Sequence, residues 1–295
     1  MKSVTAGCLE IHYHDTGPDT GPPVILLHGF PYDVRAYDVV AATLAGQGLR
    51  CLVPYLRGYG PTRFVSPDTM RSGQQAALGT DLLAFMDALS IRTALLGGYD
   101  WGGRAACIVA ALRPGRVRGL VSCGQGYNIQ NIAQAGQPAP AVEEARYWYM
   151  YYFHTDRGRA GLTQNRRDIC RHIWSIWSPS WRFDEATWAA TAPSFDNPDF
   201  VDIVLHSYRH RFGGVPGDPA YDGIEAQLAA QPDITVPTIV LQGRDDGVDP
   251  PAQDDSHRPH FTGYYDRQII DGAGHNLPQE APDAFAKAML TLAGP

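Results

Sequence analysis

Continuous apolar runs recur along the first part of the chain: Val24 to Leu27, Leu49 to Val53, Thr93 to Leu96 and Val117 to Ser122. Strands covered on both faces have this appearance, because no alternate position needs to face water. Leu9, Ile11 and Tyr13 instead alternate with Glu10, His12 and His14, as in a half-exposed antiparallel strand. Between the runs, Leu82, Leu83, Phe85, Met86 and Leu89 follow helical spacing. The alternation of strand and helix predicts a mostly parallel sheet with crossover helices. From about residue 132 the pattern changes, and residues 142 to 230, rich in Trp, Tyr and Arg, predict several helices and no parallel strand. After Val236-Pro237 the alternation resumes, with an apolar run at Thr238 to Leu241 and a further short strand at Arg267 to Ile270. The expected organisation is an α/β core in two parts, 1–131 and 232–295, with a helical segment, 132–231, inserted between them.

At 295 residues and 44% hydrophobic, the chain can bury one substantial core. A net charge of −7 and a pI near 5.8 favour neither nucleic acid nor an anionic membrane as partner, and a small molecule is the expected one. The basic stretch Arg157, Arg159, Arg166, Arg167 and Arg171 is interrupted by Asp156 and Asp168 and reads as a solvated helix face. Five scattered cysteines without a Cys-x-x-Cys spacing suggest free thiols in a reducing compartment. No apolar run has the length of a signal peptide or a membrane span, so the expected location is the cytoplasm. The sequence leaves the oligomeric state open.

The chemistry concentrates where strands end. Gly98-Tyr99-Asp100-Trp101-Gly102 follows Thr93 to Leu96 and has the small-x-nucleophile-x-small form of a sharp strand-to-helix turn, with Asp100 in the nucleophile position. A carboxylate there attacks carbon and forms an alkyl ester. The bland alternative for Asp100 is a solvent-exposed turn residue. Upstream, Val24 to Leu27 runs into His28-Gly29-Phe30-Pro31; downstream, Gln242-Gly243-Arg244-Asp245-Asp246 and Asp271-Gly272-Ala273-Gly274-His275 follow the last two strands. The order nucleophile, acid, histidine, each after a strand, matches a hydrolase triad. Asp245, Asp246 and Asp249 all compete for the acid position. No His, Cys or carboxylate spacing has the form of a metal site, and no cofactor is expected.

These residues, together with Arg57-Gly58-Tyr59-Gly60, resemble the α/β-hydrolase superfamily and, within it, the capped epoxide hydrolases and their dehalogenase relatives. The resemblance covers essentially the whole chain. It implies an α/β-hydrolase fold with a helical cap inserted before the last core strands, and a covalent route in which Asp100 opens an epoxide and His275, oriented by Asp246, activates the water that hydrolyses the ester. It further implies an oxyanion hole from the backbone amides of Phe30 and Trp101, and two cap tyrosines above the nucleophile, Tyr149 and Tyr208. Tyr149, Tyr152 and Phe153 share a helix face by spacing, which leaves Tyr152 as the alternative to Tyr149. A haloalkane dehalogenase would use the same nucleophile, with Trp101 donating to a halide, although Phe30 stands where one group of those enzymes has Asn. Fluoroacetate dehalogenases place Arg after the nucleophile, where this chain has Trp101, and share only Arg104. A non-catalytic binding protein on this fold is the alternative from another class.

Overall fold

The computed structural model describes residues 1–294. Its nine strands are β1 (Lys2–Ala6), β2 (Leu9–Thr16), β3 (Pro23–Leu27), β4 (Arg50–Pro54), β5 (Arg63–Phe64), β6 (Ala94–Gly98), β7 (Val117–Cys123), β8 (Thr238–Gly243) and β9 (Tyr265–Ile270). They form one sheet in the order β1-β2-β4-β3-β6-β7-β8-β9, with β5 added to β2. Pairing is antiparallel at β1/β2, β2/β4 and β2/β5 and parallel from β4 to β9. The central strands β3, β6 and β8 are buried almost throughout. That burial is why their sequences lack alternation. β2 alternates buried with part-exposed positions, as its pattern predicts.

The core helices are α1 (Asp38–Gly46), α2 (Gln75–Ala88) and α3 (Asp100–Leu112); then come α4 (Ala141–Arg146), α5 (Trp148–His154), α6 (Asp156–Trp177), α7 (Glu185–Thr191), α8 (Phe200–Arg211) and α9 (Asp222–Ala229), all between β7 and β8, and finally α10 (Leu277–Glu280) and α11 (Pro282–Ala293). α1 packs with α11, which lies on β7, while α2 packs with α3, which lies on β6 and β7. The result is a mostly parallel sheet flanked by helices, the expected α/β-hydrolase architecture. β1 and β5 were not anticipated. β1 is mainly exposed, so burial leaves little mark on its composition.

The helices from α4 to α9 touch the core through specific bonds as well as apolar packing. Trp174 on α6 donates its indole N–H to the Pro31 carbonyl at 2.7 Å, and Thr191 at the end of α7 donates to Asp33 at 3.0 Å. The basic stretch of α6 is solvated and paired, Arg159 with Asp202 and Arg171 with Glu185. No helix of the described residues is long and apolar enough to cross a membrane.

Candidate active site

Parallel strands point their C-terminal ends the same way, so the loops after β3, β6, β8 and β9 meet at one edge of the sheet. Asp100 sits at the turn from β6 into α3 with φ of +48°, a left-handed conformation that costs a non-glycine residue roughly 1–2 kcal/mol. The neighbouring glycines make that turn possible. A Cβ on Gly102 would lie 2.0 Å from the Leu27 carbonyl oxygen, and one on Gly29 would lie 2.4 Å from the Asp100 Cβ. The Asp100 side chain is only 14% exposed, so the solvent-exposed turn reading is corrected: α3 and the loop after β3 enclose it. The Phe30 amide donates to its Oδ1 at 2.7 Å. That bond leaves Oδ2 free to face the cavity.

Asp246 is resolved from its neighbours by geometry. Its Oδ2 accepts from His275 Nδ1 at 2.8 Å, and its Oδ1 accepts from the Val248 and Asp249 amides at 2.9 and 2.8 Å. Asp249 instead accepts from the Gln125 amide and side chain, and its carboxyl is pushed up by burial and by the Asp246 charge. His275 Nε2 lies 3.9 Å from Asp100 Oδ2 and has no hydrogen-bond partner among the described residues. The separation is too long for a direct bond and fits a water molecule between them.

Burial opposes a charge on His275, yet the adjacent Asp246 carboxylate, with Asp100 beyond it, prevails and raises the imidazole to about 9. Because the folded value lies above the ordinary unfolded value of about 6.5, this group contributes stability fully below that pH and loses it as pH rises through 9. The stability gap between the wild type and Asp246→Asn is therefore expected to be widest at pH 6 and to narrow toward pH 9. Denaturant titrations at several pH values measure it; a gap independent of pH would contradict the assignment.

The loop carrying His275 is clamped by residues that the sequence reading did not single out. Glu280 accepts from the Gly274 amide at 2.7 Å, the Asn276 amide at 2.9 Å and the Ser178 hydroxyl at 2.6 Å, while Ser178 in turn accepts from the His275 amide at 3.1 Å. Trp177 at the end of α6 lays its ring 4.8 Å from the His275 ring. Glu280 lies five residues past His275 on α10, and nothing in its spacing announces the contact.

Tyr149 on α5 and Tyr208 on α8 are buried with ring centroids 5.3 Å apart, and Tyr208 packs on Phe30 and Trp101 at 5.4 and 6.0 Å. Neither hydroxyl has a hydrogen-bond partner among the described residues. Burial raises both phenols well above their ordinary value, and for Tyr208 the Asp100 charge is the next cause. Both therefore keep their protons at neutral pH. Tyr152 does not share their direction: a Cβ on Gly161 of α6 would lie 1.9 Å from its hydroxyl, so it faces α6. Of the face expected from spacing, Tyr149 and Phe153 hold, both buried with rings 6.1 Å apart, and only Tyr152 departs from it, toward α6.

Over these groups lies a cavity of about 330 Å³, at the small end for ligand sites, lined by Asp100, His275, Tyr149, Trp177, Arg104, Arg211 and others. Tyr208, in ring contact with the lining residue Tyr149, and Trp101 lie beside it. The sequence reading noted Arg104 only as the one arginine shared with the fluoroacetate dehalogenases and gave Arg211 no role; Arg104 is one helical turn after Asp100, and Arg211 three residues after Tyr208.

Residues 22–282 match the family described by the alpha/beta hydrolase fold. A solved structure of a candidate epoxide hydrolase from Klebsiella pneumoniae is 49% identical, superposes with a TM-score of 0.96, and covers 99% of this chain and 96% of its own. Epoxide hydrolase A of Mycobacterium tuberculosis is 24% identical over 98% of this chain and 95% of its own length. Epoxide hydrolase 3 of Siraitia grosvenorii is 34% identical over 133 residues, a local match in which this chain spans 42% of that protein.

Proposed function

We propose that this chain, which belongs to the α/β hydrolase fold family, is an epoxide hydrolase that forms a vicinal diol through an ester on Asp100. The observation that carries the reading is the pair of proton-bearing phenols, Tyr149 and Tyr208, buried together near a carboxylate nucleophile. Its relatives' names agree with it. The helical segment, 132–231, serves as the cap that supplies those phenols.

In this reading Asp100 Oδ2 attacks an epoxide carbon, and the breaking C–O bond delivers its electron pair to oxygen as a tyrosine donates a proton. The tyrosinate recovers a proton from the imidazolium of His275. Conversion of Asp100 to a neutral ester favours that step, since it removes one of the charges that hold the proton on the ring. Neutral His275 then takes a proton from water, whose oxygen attacks the ester carbonyl. The Phe30 amide, already on Oδ1, and the Trp101 amide receive the oxyanion. Collapse returns the alcohol and regenerates Asp100 and the imidazolium.

One observation favours a second reading. The indole N–H groups of Trp101 and Trp177 are buried without partners among the described residues, as donors awaiting a halide would be, although only Trp177 lines the cavity. A parallel assay of diol formation from aryl epoxides and halide release from haloalkanes separates the two. The expected result is diol without halide; halide without diol would overturn the proposal.

A further inference from the structure

A buried guanidinium is stabilised when a carboxylate pairs with it. Arg57 is fully enclosed and donates to both oxygens of Asp81 at 2.6 and 2.7 Å. Arg104 is the exception: it is 8% exposed, its one hydrogen bond among the described residues runs from Nε to the Asn128 carbonyl at 3.3 Å, and no described carboxylate oxygen lies within ion-pair distance. A buried guanidinium without a counter-ion is costly and persists where a ligand completes it. Arg211, on α8, lines the same cavity. It lies over the Tyr208 ring at 4.9 Å and donates to the Gln130 side-chain oxygen, again with no carboxylate partner among the described residues. Burial and the neighbouring Arg211 charge push Arg104 down to about 10, which leaves it charged at neutral pH.

The acids around the cavity are already engaged. Asp246 holds His275, Asp249 holds Gln125, Glu144 accepts from the Ala139 amide and the Tyr151 hydroxyl, and Asp100 accepts from the Phe30 amide at Oδ1 while its Oδ2 is the nucleophile. We propose that the substrate itself supplies the missing anion: Arg104 and Arg211 form a subsite for a carboxylate, and the enzyme acts on compact epoxy acids whose oxirane reaches Asp100. The planar forks of two arginines suit a carboxylate better than a neutral acceptor. The inference rests on the epoxide hydrolase reading for its reaction, while the subsite stands on two guanidiniums that have no carboxylate partner among the described residues.

The test compares kcat/KM for 3-phenylglycidate, its methyl ester and styrene oxide. The acid is expected to exceed the ester by at least tenfold, and Arg104→Gln and Arg211→Gln are each expected to shrink that acid-to-ester ratio by at least tenfold. Equal use of acid and ester by the wild type, or a ratio that survives both substitutions, overturns the proposal. Removing an unpaired buried charge should not lower Tm, and Arg211→Gln, nearer the surface, guards against a folding failure. If none of the three epoxides yields diol, the reaction assignment fails, and calorimetry with cinnamate and methyl cinnamate decides the subsite separately. Cinnamate binding that Arg104→Gln abolishes supports it; equal affinity for acid and ester, or no binding of either, overturns it.

Discussion

Replacing Asp100 by alanine should lower kcat/KM for epoxide opening by at least about 10⁴-fold, the scale on which loss of a nucleophile in a triad abolishes covalent catalysis. The folded state should survive the change. The Asp100 side chain makes one hydrogen bond, from the Phe30 amide, and its left-handed backbone is strained in the wild type already. That strain gives an internal control, because Asp100→Gly relieves it. The glycine variant should be equally inactive yet more stable than the alanine variant by about 1 kcal/mol. Retention of most activity in either would remove Asp100 from the chemistry, and a glycine variant less stable than the alanine one would contradict the strain at the turn.

The second large effect is expected from the tyrosines. An epoxide oxygen expelled into a buried cavity without a proton would leave an unsolvated alkoxide, so loss of the donors should slow alkylation of Asp100 directly. Tyr149→Phe and Tyr208→Phe should each cost about 1.5 to 3 kcal/mol, the scale of a hydrogen bond to a developing charge. Either phenol can partly cover for the other across their 5.3 Å ring contact. The double variant is therefore the decisive one, with single-turnover formation of the ester as the rate to follow. An unchanged rate would reduce both rings to packing and favour the halide reading, in which no proton donor is needed.

Much of this arrangement is legible in the sequence. β3, β6 and β8 are buried on both faces, so their sequences carry long apolar runs, and the glycines around Asp100 mark a turn that side chains would block. Because Phe30, Asp100 and Asp246 each follow such a strand and His275 follows the part-exposed edge strand β9, parallel topology brings all four to one edge. What resists reading depends on contacts between distant elements. Asp246 and Asp249 are alike in sequence, and only the amides of Val248 and Asp249 folding back onto Asp246 aim it at His275. Tyr152 and Tyr149 differ by where α6 runs, which helical spacing within α5 does not encode. The meaning of Arg104 lies in what is missing around it, and a sequence does not record an unpaired charge.

The central claim is that water attacks an ester of Asp100 and never the epoxide. A single turnover in H₂¹⁸O with enzyme in excess over styrene oxide tests it most directly. The account predicts that the first diol contains only ¹⁶O and that mass spectrometry finds ¹⁸O in the peptide holding Asp100, since hydrolysis at the ester carbonyl leaves the water oxygen on the enzyme. A first diol that carries ¹⁸O, with the Asp100 peptide unlabelled, would contradict it.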